Sequence, residues 1–172
     1  LFMILRSREK TFHFSAPVLL LLGFLLAAAG CGPTTVSQIE EQKNAKQLSP
    51  AEVLKLVEGN TLSFHSFQED SYYYYAPSGA LFGNDLYSNK DTGKWDVSDS
   101  GELCMKLQWW WYGDLRCFTV YHIGDKDKVR LANSSGVLQY SAEQAEGDSK
   151  GLYRDSDQKK KSLRRSINKQ ES

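Results

Sequence analysis

Between residues 61 and 140 the sequence repeats one pattern eight times: a short run rich in β-branched and aromatic side chains, then a cluster of turn-forming residues. Runs of this length and composition favour β-strands. Tight turns at regular spacing predict a mainly β fold, an antiparallel meander that closes into a small barrel or a sandwich and so protects its edges. The candidate strands are 61–67, 72–76, 81–87, 94–97, 103–108, 116–123, 129–132 and 137–140.

One short helix is predicted before the strands. Ser49 has the character of an N-cap, Pro50 occupies the first helical position, and Glu52 completes a capping box. Residues 53–57 supply an apolar face, and Gly59 stands where a helix commonly ends in a left-handed residue.

The first thirty residues have the pattern of a secretory leader. Arg6, Arg8 and Lys10 form a cationic start, and the apolar run 18–29 follows. This run holds twelve residues, whereas a membrane-spanning helix needs about 20. We therefore expect residues 1–30 to be a signal peptide.

Small residues lead directly into Cys31. Ala28, Ala29 and Gly30 before this cysteine resemble the box of bacterial lipoprotein signals. The resemblance implies that Cys31 is diacylated on its thiol, acylated on its new amine, and becomes the first residue of the mature chain. Several acyl chains, each worth about 0.8 kcal/mol per buried CH₂, make a stable membrane anchor. Gly32, rather than an aspartate, follows Cys31, which favours the outer membrane and a periplasm-facing domain.

Composition divides the rest of the chain into three parts. Residues 31–47 are polar and are expected to form a flexible tether. Residues 48–140 form the β-rich domain. Residues 141–172 are expected to be a mostly disordered tail, with six lysines and arginines and no acid in 159–169. We expect a plain solvated tail. If the basic segment has a target, an anionic membrane surface or lipopolysaccharide phosphate is more sensible than nucleic acid, which an exported protein rarely meets.

Cys104 and Cys117 remain once Cys31 is acylated, and an exported compartment permits a disulfide between them. A two-residue turn at 112–113 would offset the two cysteines by four residues along the paired strands. At about 3.4 Å per residue, this offset exceeds the roughly 7 Å between Cα atoms that a disulfide spans. The register that pairs the two cysteines leaves a four-residue loop. The ring that the disulfide then closes stabilises the folded state by about 3 kcal/mol. Because tyrosine disfavours the positive φ of the tight turn, we expect the bridged register.

That loop is Trp109, Trp110, Trp111 and Tyr112, the candidate ligand or partner surface of the protein. At least one or two of the indoles are expected to project from the loop tip. They can fold back to cap a barrel end, stack on the sugar rings of an envelope glycan, enter a lipid interface, or dock a partner protein. The sequence leaves these alternatives open.

The order and spacing of several short landmarks resemble a family of small exported proteobacterial proteins, domain of unknown function number nine hundred and ninety-five. The resemblance covers residues 48–138 and implies a fold family and a compartment, without an activity. Its landmarks are Gly59-x-Thr61, Tyr75–Ala76–Pro77-x-Gly79, Gly83, Gly93-x-Trp95, Leu103–Cys104 and Arg116–Cys117–Phe118.

Residues with catalytic potential are few. His65 and His122 are the two imidazoles after the leader, and each lies in a candidate strand, where a single histidine is more often a packed or surface residue than a base. No metal site or cofactor is predicted. The sequence favours a non-catalytic envelope lipoprotein with a binding or structural domain, and the alternative is an envelope-acting hydrolase that uses His65 or His122. A catalytic histidine should lie in a concave pocket with a carboxylate within hydrogen-bond reach.

Overall fold

The computed structural model of the protein describes residues 32–43, 45–66, 70–124, 128–154, 156–157 and 161. The predicted signal peptide, residues 1–30, and Cys31 lie outside the described residues. A compact unit begins at Thr34. Its elements, in chain order, are α1 (Val36–Lys43), β1 (Lys46–Gln47), α2 (Pro50–Val57), β2 (Thr61–His65), β3 (Asp70–Tyr75), β4 (Ala80–Asp85), β5 (Lys90–Val97), β6 (Glu102–Leu107), a 3₁₀ turn (Trp110–Gly113), β7 (Leu115–His122), β8 (Lys128–Ala132) and β9 (Leu138–Ala145).

Strands β2 to β9 form a closed antiparallel barrel. Each strand pairs with the next one along the chain, and β9 returns to pair with β2 from Thr61↔Ala145 to His65↔Ser141. All eight predicted strands are present, so the mainly β prediction is confirmed, and of its two architectures the barrel is the one observed. The strand predicted at 94–97 begins four residues earlier, at Lys90.

The barrel interior is filled by side chains, as is usual for eight strands. Large residues alternate inward along each strand and are almost completely inaccessible to solvent. Among them are Leu62, Phe64, Tyr73, Tyr75, Leu81, Leu103, Met105, Leu107, Phe118, Val120, Val129 and Leu131.

Helix α2 covers one end of this core, and its predicted capping is confirmed. The Ser49 side chain accepts a hydrogen bond from the Glu52 backbone N–H, and the Glu52 carboxylate accepts one from the Ser49 N–H at 2.8 Å. Val53 and Val57 are fully buried in the core. Gly59 follows the helix with φ +73°.

The segment expected to be a tether through residue 47 is instead largely part of the fold. Helix α1 lies against the outer face of the barrel, where Ile39, 3% exposed, packs with Tyr121 and Ala132. Strand β1 then pairs with the last residues of β7. The sequence concealed this packing because a few apolar residues in a polar stretch, Val36, Ile39 and Ala45, make the side-chain contact, and the backbone pairing of β1 adds to it.

The domain also extends beyond residue 140. Residues 141–145, expected to begin a disordered tail, provide all five partners that β9 offers to β2. Ala142 faces the core opposite Phe64, and so small a residue at the inward position leaves a weak hydrophobic alternation. The sequence signal for the closing strand is correspondingly poor.

The chain remains attached to the barrel after β9. The Thr61 hydroxyl donates to the Gly147 carbonyl at 2.7 Å, and the Asp148 carboxylate accepts the backbone N–H groups of Leu152 and Tyr153. Leu152 is buried. Most of the predicted tail beyond residue 154, including most of the basic segment 159–169, lies outside the described residues.

Because neighbouring strands run in opposite directions, the barrel has two distinct ends. The connections after β3, β5 and β7 lie at the end covered by α2, which we call the α2 end. The connections after β2, β4, β6 and β8 lie at the other end, which we call the aromatic end. The chain enters the fold there, since Thr35 bridges Val137 and the Val36 N–H donates to the Gly136 carbonyl at 2.9 Å.

Gly93 permits the close approach of β5 and β6, which yields the first prediction. A Cβ at this position would overlap the Lys106 carbonyl oxygen and lie 2.8 Å from the Leu107 Cα. Gly93→Ala is therefore expected to lower the free energy of unfolding by about 1–3 kcal/mol through overpacking, as measured by chemical denaturation. Lys94→Ala, on the same strand and exposed, is the control, and equal stability of the two variants would contradict the predicted overlap.

Tyr75 yields a prediction of pH dependence. Its ring is fully buried, and its hydroxyl donates to the Met105 Sδ at 3.0 Å. Burial raises the pKa of Tyr75 well above its usual range, with a smaller contribution from Tyr73. The folded state therefore holds this proton more tightly than the unfolded state, so the associated stability is complete below about pH 10 and is lost as the pH rises further.

We expect the free energy of unfolding to fall above about pH 10 and to fall less steeply in Tyr75→Phe. Denaturant titrations at a series of alkaline pH values measure both slopes. Tyr87→Phe, at an exposed position, is the matched control. Identical slopes for wild type and Tyr75→Phe would show that this tyrosine does not govern alkaline unfolding.

Candidate functional site: the aromatic end of the barrel

The hairpin between β6 and β7 has the register that the cysteines predict. Cys104 lies directly opposite Cys117, with Cα atoms 4.0 Å apart, and the two form a disulfide. The pairing continues to Lys106↔Leu115. Residues 109–112 consequently form the tip of the hairpin.

The tip has an uncommon backbone. Trp111 and Tyr112 have φ values of 56° and 59°, in the left-handed region, and the 3₁₀ turn spans them. Bulky residues disfavour this conformation by roughly 1–2 kcal/mol each. Contacts elsewhere must therefore hold the turn in place.

Asp91 of β5 supplies such contacts. Its carboxylate is buried, and Oδ2 accepts the backbone N–H groups of Trp109 and Trp110 at 2.8 and 2.7 Å. Oδ1 accepts the N–H of Thr92 at 2.7 Å. One buried carboxylate oxygen thus holds two consecutive backbone N–H groups, so Asp91 fixes the start of the tip. Sequence reasoning missed this residue because the stretch containing it has the composition of a turn.

Two of the three tryptophans fold back over the end of the core. The Trp110 ring lies over Gly83, where a Cβ would come within 2.8 Å of its Cζ3, and meets Tyr73 edge-on at 5.8 Å between centroids. The ring centroids of Trp111 and Phe118 are 6.3 Å apart, and the Arg116 guanidinium lies 5.0 Å from the centroid of the Trp111 ring. These indoles cap the barrel, which is one of the roles that the sequence left open.

The other aromatic residues of the tip project into solvent. Trp109 is 72% exposed and Tyr112 is 98% exposed. The prediction that at least one or two of the indoles project from the loop tip is confirmed, with Trp109 as the exposed one.

Further exposed apolar side chains lie beside them at the same end. We call the set Leu86, Tyr87, Trp109, Tyr112 and Leu115 the aromatic rim, and each member is more than half exposed. Leu86 and Tyr87 were expected inside a strand. However, β4 ends at Asp85, whose carboxylate accepts the N–H groups of Tyr87 and Asn89 and turns the chain outward.

An open groove lies on the outer face of the barrel. It occupies about 570 Å³, and Gly79, Ala80 and Gly93 are among the residues that line it. Trp95, the Cys104 half of the disulfide and Leu115 of the aromatic rim also line it. The groove and the rim therefore share an edge.

Each of the two histidines shows one feature of a catalytic site: His65 has a carboxylate neighbour, and His122 lines a groove. The His65 Nδ1 lies 3.0 Å from the Asp70 carboxylate across the β2–β3 pair, and both side chains are more than a third exposed. His122 lines a separate groove at the α2 end. The carboxylate in that groove, Glu52, is engaged with the Ser49 backbone and hydroxyl. Among the described residues no ion pair involves His122.

Comparison with known protein families gives one match. A family described as "Protein of unknown function (DUF995)" matches residues 19–119, more than half of the chain. The chain belongs to the DUF995 family. The DUF995 match begins within the apolar run 18–29 and ends at Thr119 in β7, so it includes Cys31, both bridged cysteines, Asp91 and the three tryptophans. A comparison with curated proteins finds no match.

The DUF995 match overlaps the resemblance expected for residues 48–138 as far as Thr119. Strands β8 and β9, which complete the barrel, follow the matched region. Within the part of the chain that the structure describes, helices long and apolar enough to cross a bilayer are absent.

The role of Asp91 generates a prediction for this site. Asp91→Ala leaves the N–H groups of Trp109 and Trp110 without their acceptor, which is expected to lower the free energy of unfolding by about 1–3 kcal/mol. The loosened tip should also expose Trp110 and Trp111 and shift tryptophan emission to longer wavelength. Chemical denaturation followed by fluorescence measures both effects.

Asp96→Ala is the matched control, because Asp96 is exposed on the same strand and accepts the N–H of the adjacent residue Val97. If Asp91→Ala and Asp96→Ala behave alike, the carboxylate of Asp91 does not hold the tip.

Proposed function

We propose that this DUF995 protein is a bacterial envelope lipoprotein, anchored through acylated Cys31, whose barrel is a non-catalytic binding or structural domain. The observation that carries the proposal is the small-residue box that ends at Cys31, three residues before the compact unit begins at Thr34. Cleavage before Cys31 would remove the leader and leave the whole barrel intact.

The cysteine usage supports export. Cys104 and Cys117 are bridged across neighbouring strands, and such structural disulfides belong to oxidising compartments rather than to the cytosol. The remaining cysteine is Cys31 itself. Each of the three cysteines therefore has a role that an exported lipoprotein explains.

The position after the anchor supports sorting to the outer membrane. Gly32 follows Cys31 in place of the aspartate that is associated with inner-membrane retention. We therefore propose a periplasm-facing barrel attached to the outer membrane.

Features on the outside of the barrel support a binding or structural role. The interior is packed with large side chains, whereas the aromatic rim and the groove beside it face solvent. Exposed clusters of this kind commonly mark interaction surfaces. We propose that an envelope protein or a glycan binds in the groove.

The hydrolase alternative receives less support from the same structure. His65 has a carboxylate neighbour, but both members of the pair are substantially exposed, as expected for a cross-strand pair that stabilises the β2–β3 hairpin. His122 lines a groove in which the carboxylate of Glu52 already serves the cap of α2. Neither histidine combines the pocket and the carboxylate that acid–base catalysis requires.

Mass spectrometry of the membrane fraction tests the proposal. The full chain, expressed in a bacterial host, is expected to yield a mature form that starts at Cys31 and carries acyl chains. Cys31→Ser is expected to abolish acylation and the mature form that starts at Cys31, because it removes the thiol that carries the proposed acyl anchor.

The double variant Cys104→Ala/Cys117→Ala is the matched control, since it removes the other two cysteines and leaves Cys31 in place. It is expected to be acylated like wild type. An unprocessed, unmodified wild-type chain would refute the lipoprotein assignment.

A further inference from the structure

We propose that the aromatic rim is a membrane-contact surface, which rests against the headgroup region of the bilayer that holds Cys31. This inference uses the anchor of the proposed function and adds a defined orientation of the barrel. Its occupant is the lipid interface, rather than a glycan or a protein partner.

The first argument is the length of chain between the anchor and the fold. Thr35 is already fixed to the aromatic end through its bridge to Val137. Four residue steps separate Cys31 from Thr35, and an extended chain covers at most about 14 Å in four steps. The aromatic end is therefore held close to the lipid. The α2 end lies further from the lipid by about the length of a strand, which for β7 is about 25 Å.

The second argument is the distribution of exposed apolar side chains. The described residues include seven large apolar side chains that are exposed, and five of them form the aromatic rim. The other two are Leu54, on α2, and Tyr153, which packs on Tyr74 and Phe82. Exposed apolar surface is thus concentrated at the end where the chain from Cys31 enters.

The third argument is the chemistry of these side chains. Tryptophan and tyrosine combine an apolar ring with a polar group, and they are enriched where a protein meets the boundary between acyl chains and headgroups. Leu86 and Leu115 add purely apolar area. Arg116, beside Trp111, reaches the same region with a cation suited to lipid phosphate.

The fourth argument is that the rim is built in advance. The disulfide, the Asp91 hydrogen bonds and the capping indoles hold the hairpin from which Trp109 and Tyr112 project. Little side-chain or backbone ordering is then required on contact, which favours binding through a small surface.

A fluorescent probe on the acylated full-length protein tests the inference. With Cys31 acylated and Cys104 bridged to Cys117, the variant Tyr112→Cys offers one free thiol for an environment-sensitive dye. The protein is reconstituted in vesicles of phosphatidylethanolamine and phosphatidylglycerol in which part of the lipid carries brominated acyl chains. The dye at position 112 is expected to shift to shorter emission wavelength and to be quenched by the brominated lipid.

Leu54→Cys, labelled in the same way, is the matched control, because Leu54 is an exposed apolar residue at the α2 end. Its dye is expected to be neither shifted nor quenched. Adding Trp109→Ala to the labelled Tyr112→Cys protein is expected to reduce the quenching, since it removes the largest side chain of the rim. Circular dichroism establishes that each variant is folded.

Equal quenching at positions 112 and 54, or quenching at neither, would overturn the inference and would leave the rim to a protein or glycan partner. Failure of the anchor appears in a different measurement, because an unacylated Cys31 takes up a second dye and lacks the acyl mass. In that case, stronger quenching of the labelled Tyr112→Cys protein than of the labelled Leu54→Cys protein, both of which carry the second dye, still supports a membrane-contact rim, and equal quenching overturns it.

Discussion

The pairing of β9 with β2 is the interaction on which the rest of the structure depends. Without it the eight strands form an open sheet with two exposed edges, which proteins generally avoid. With it the strands enclose a core that α2 covers at one end and Trp110 and Trp111 cover at the other. Closure thereby creates two chemically different ends, and the candidate site is a property of one of them.

The sequence predicted local structure correctly where a residue type is favourable in only one structural position. Ser49 with Glu52 defines the start of α2 because both side chains satisfy N–H groups that the helix leaves unpaired. Cys104 and Cys117 define the β6–β7 register because a disulfide tolerates only a short distance between Cα atoms. Such local constraints can be recognised before any tertiary contact is known.

The sequence was less informative where stability comes from backbone pairing or from one distant side chain. Strand β9 presents only Ala142 deeply to the core, and α1 attaches mainly through Ile39, so neither shows a strong hydrophobic period. Asp91 has the composition of a turn residue and becomes a structural anchor only when the hairpin tip folds onto it. Long-range contacts of this kind leave little trace in a single sequence.

The exposure of Trp109 alone has a simple conformational explanation, since a four-residue tip cannot bury three consecutive indoles. That explanation does not extend to Leu86 and Tyr87, which belong to a different turn, or to Leu115, which begins β7. Two separate hairpins, β4–β5 and β6–β7, thus bring apolar side chains to the end where the chain enters at Thr35. Because α1 and β1 occupy most of the expected tether, the connection to the proposed acyl anchor at Cys31 is too short to hold this end away from a membrane. A barrel attached in this way either buries the rim against the lipid or keeps costly apolar surface in water beside it, and the hydrophobic effect favours the first arrangement.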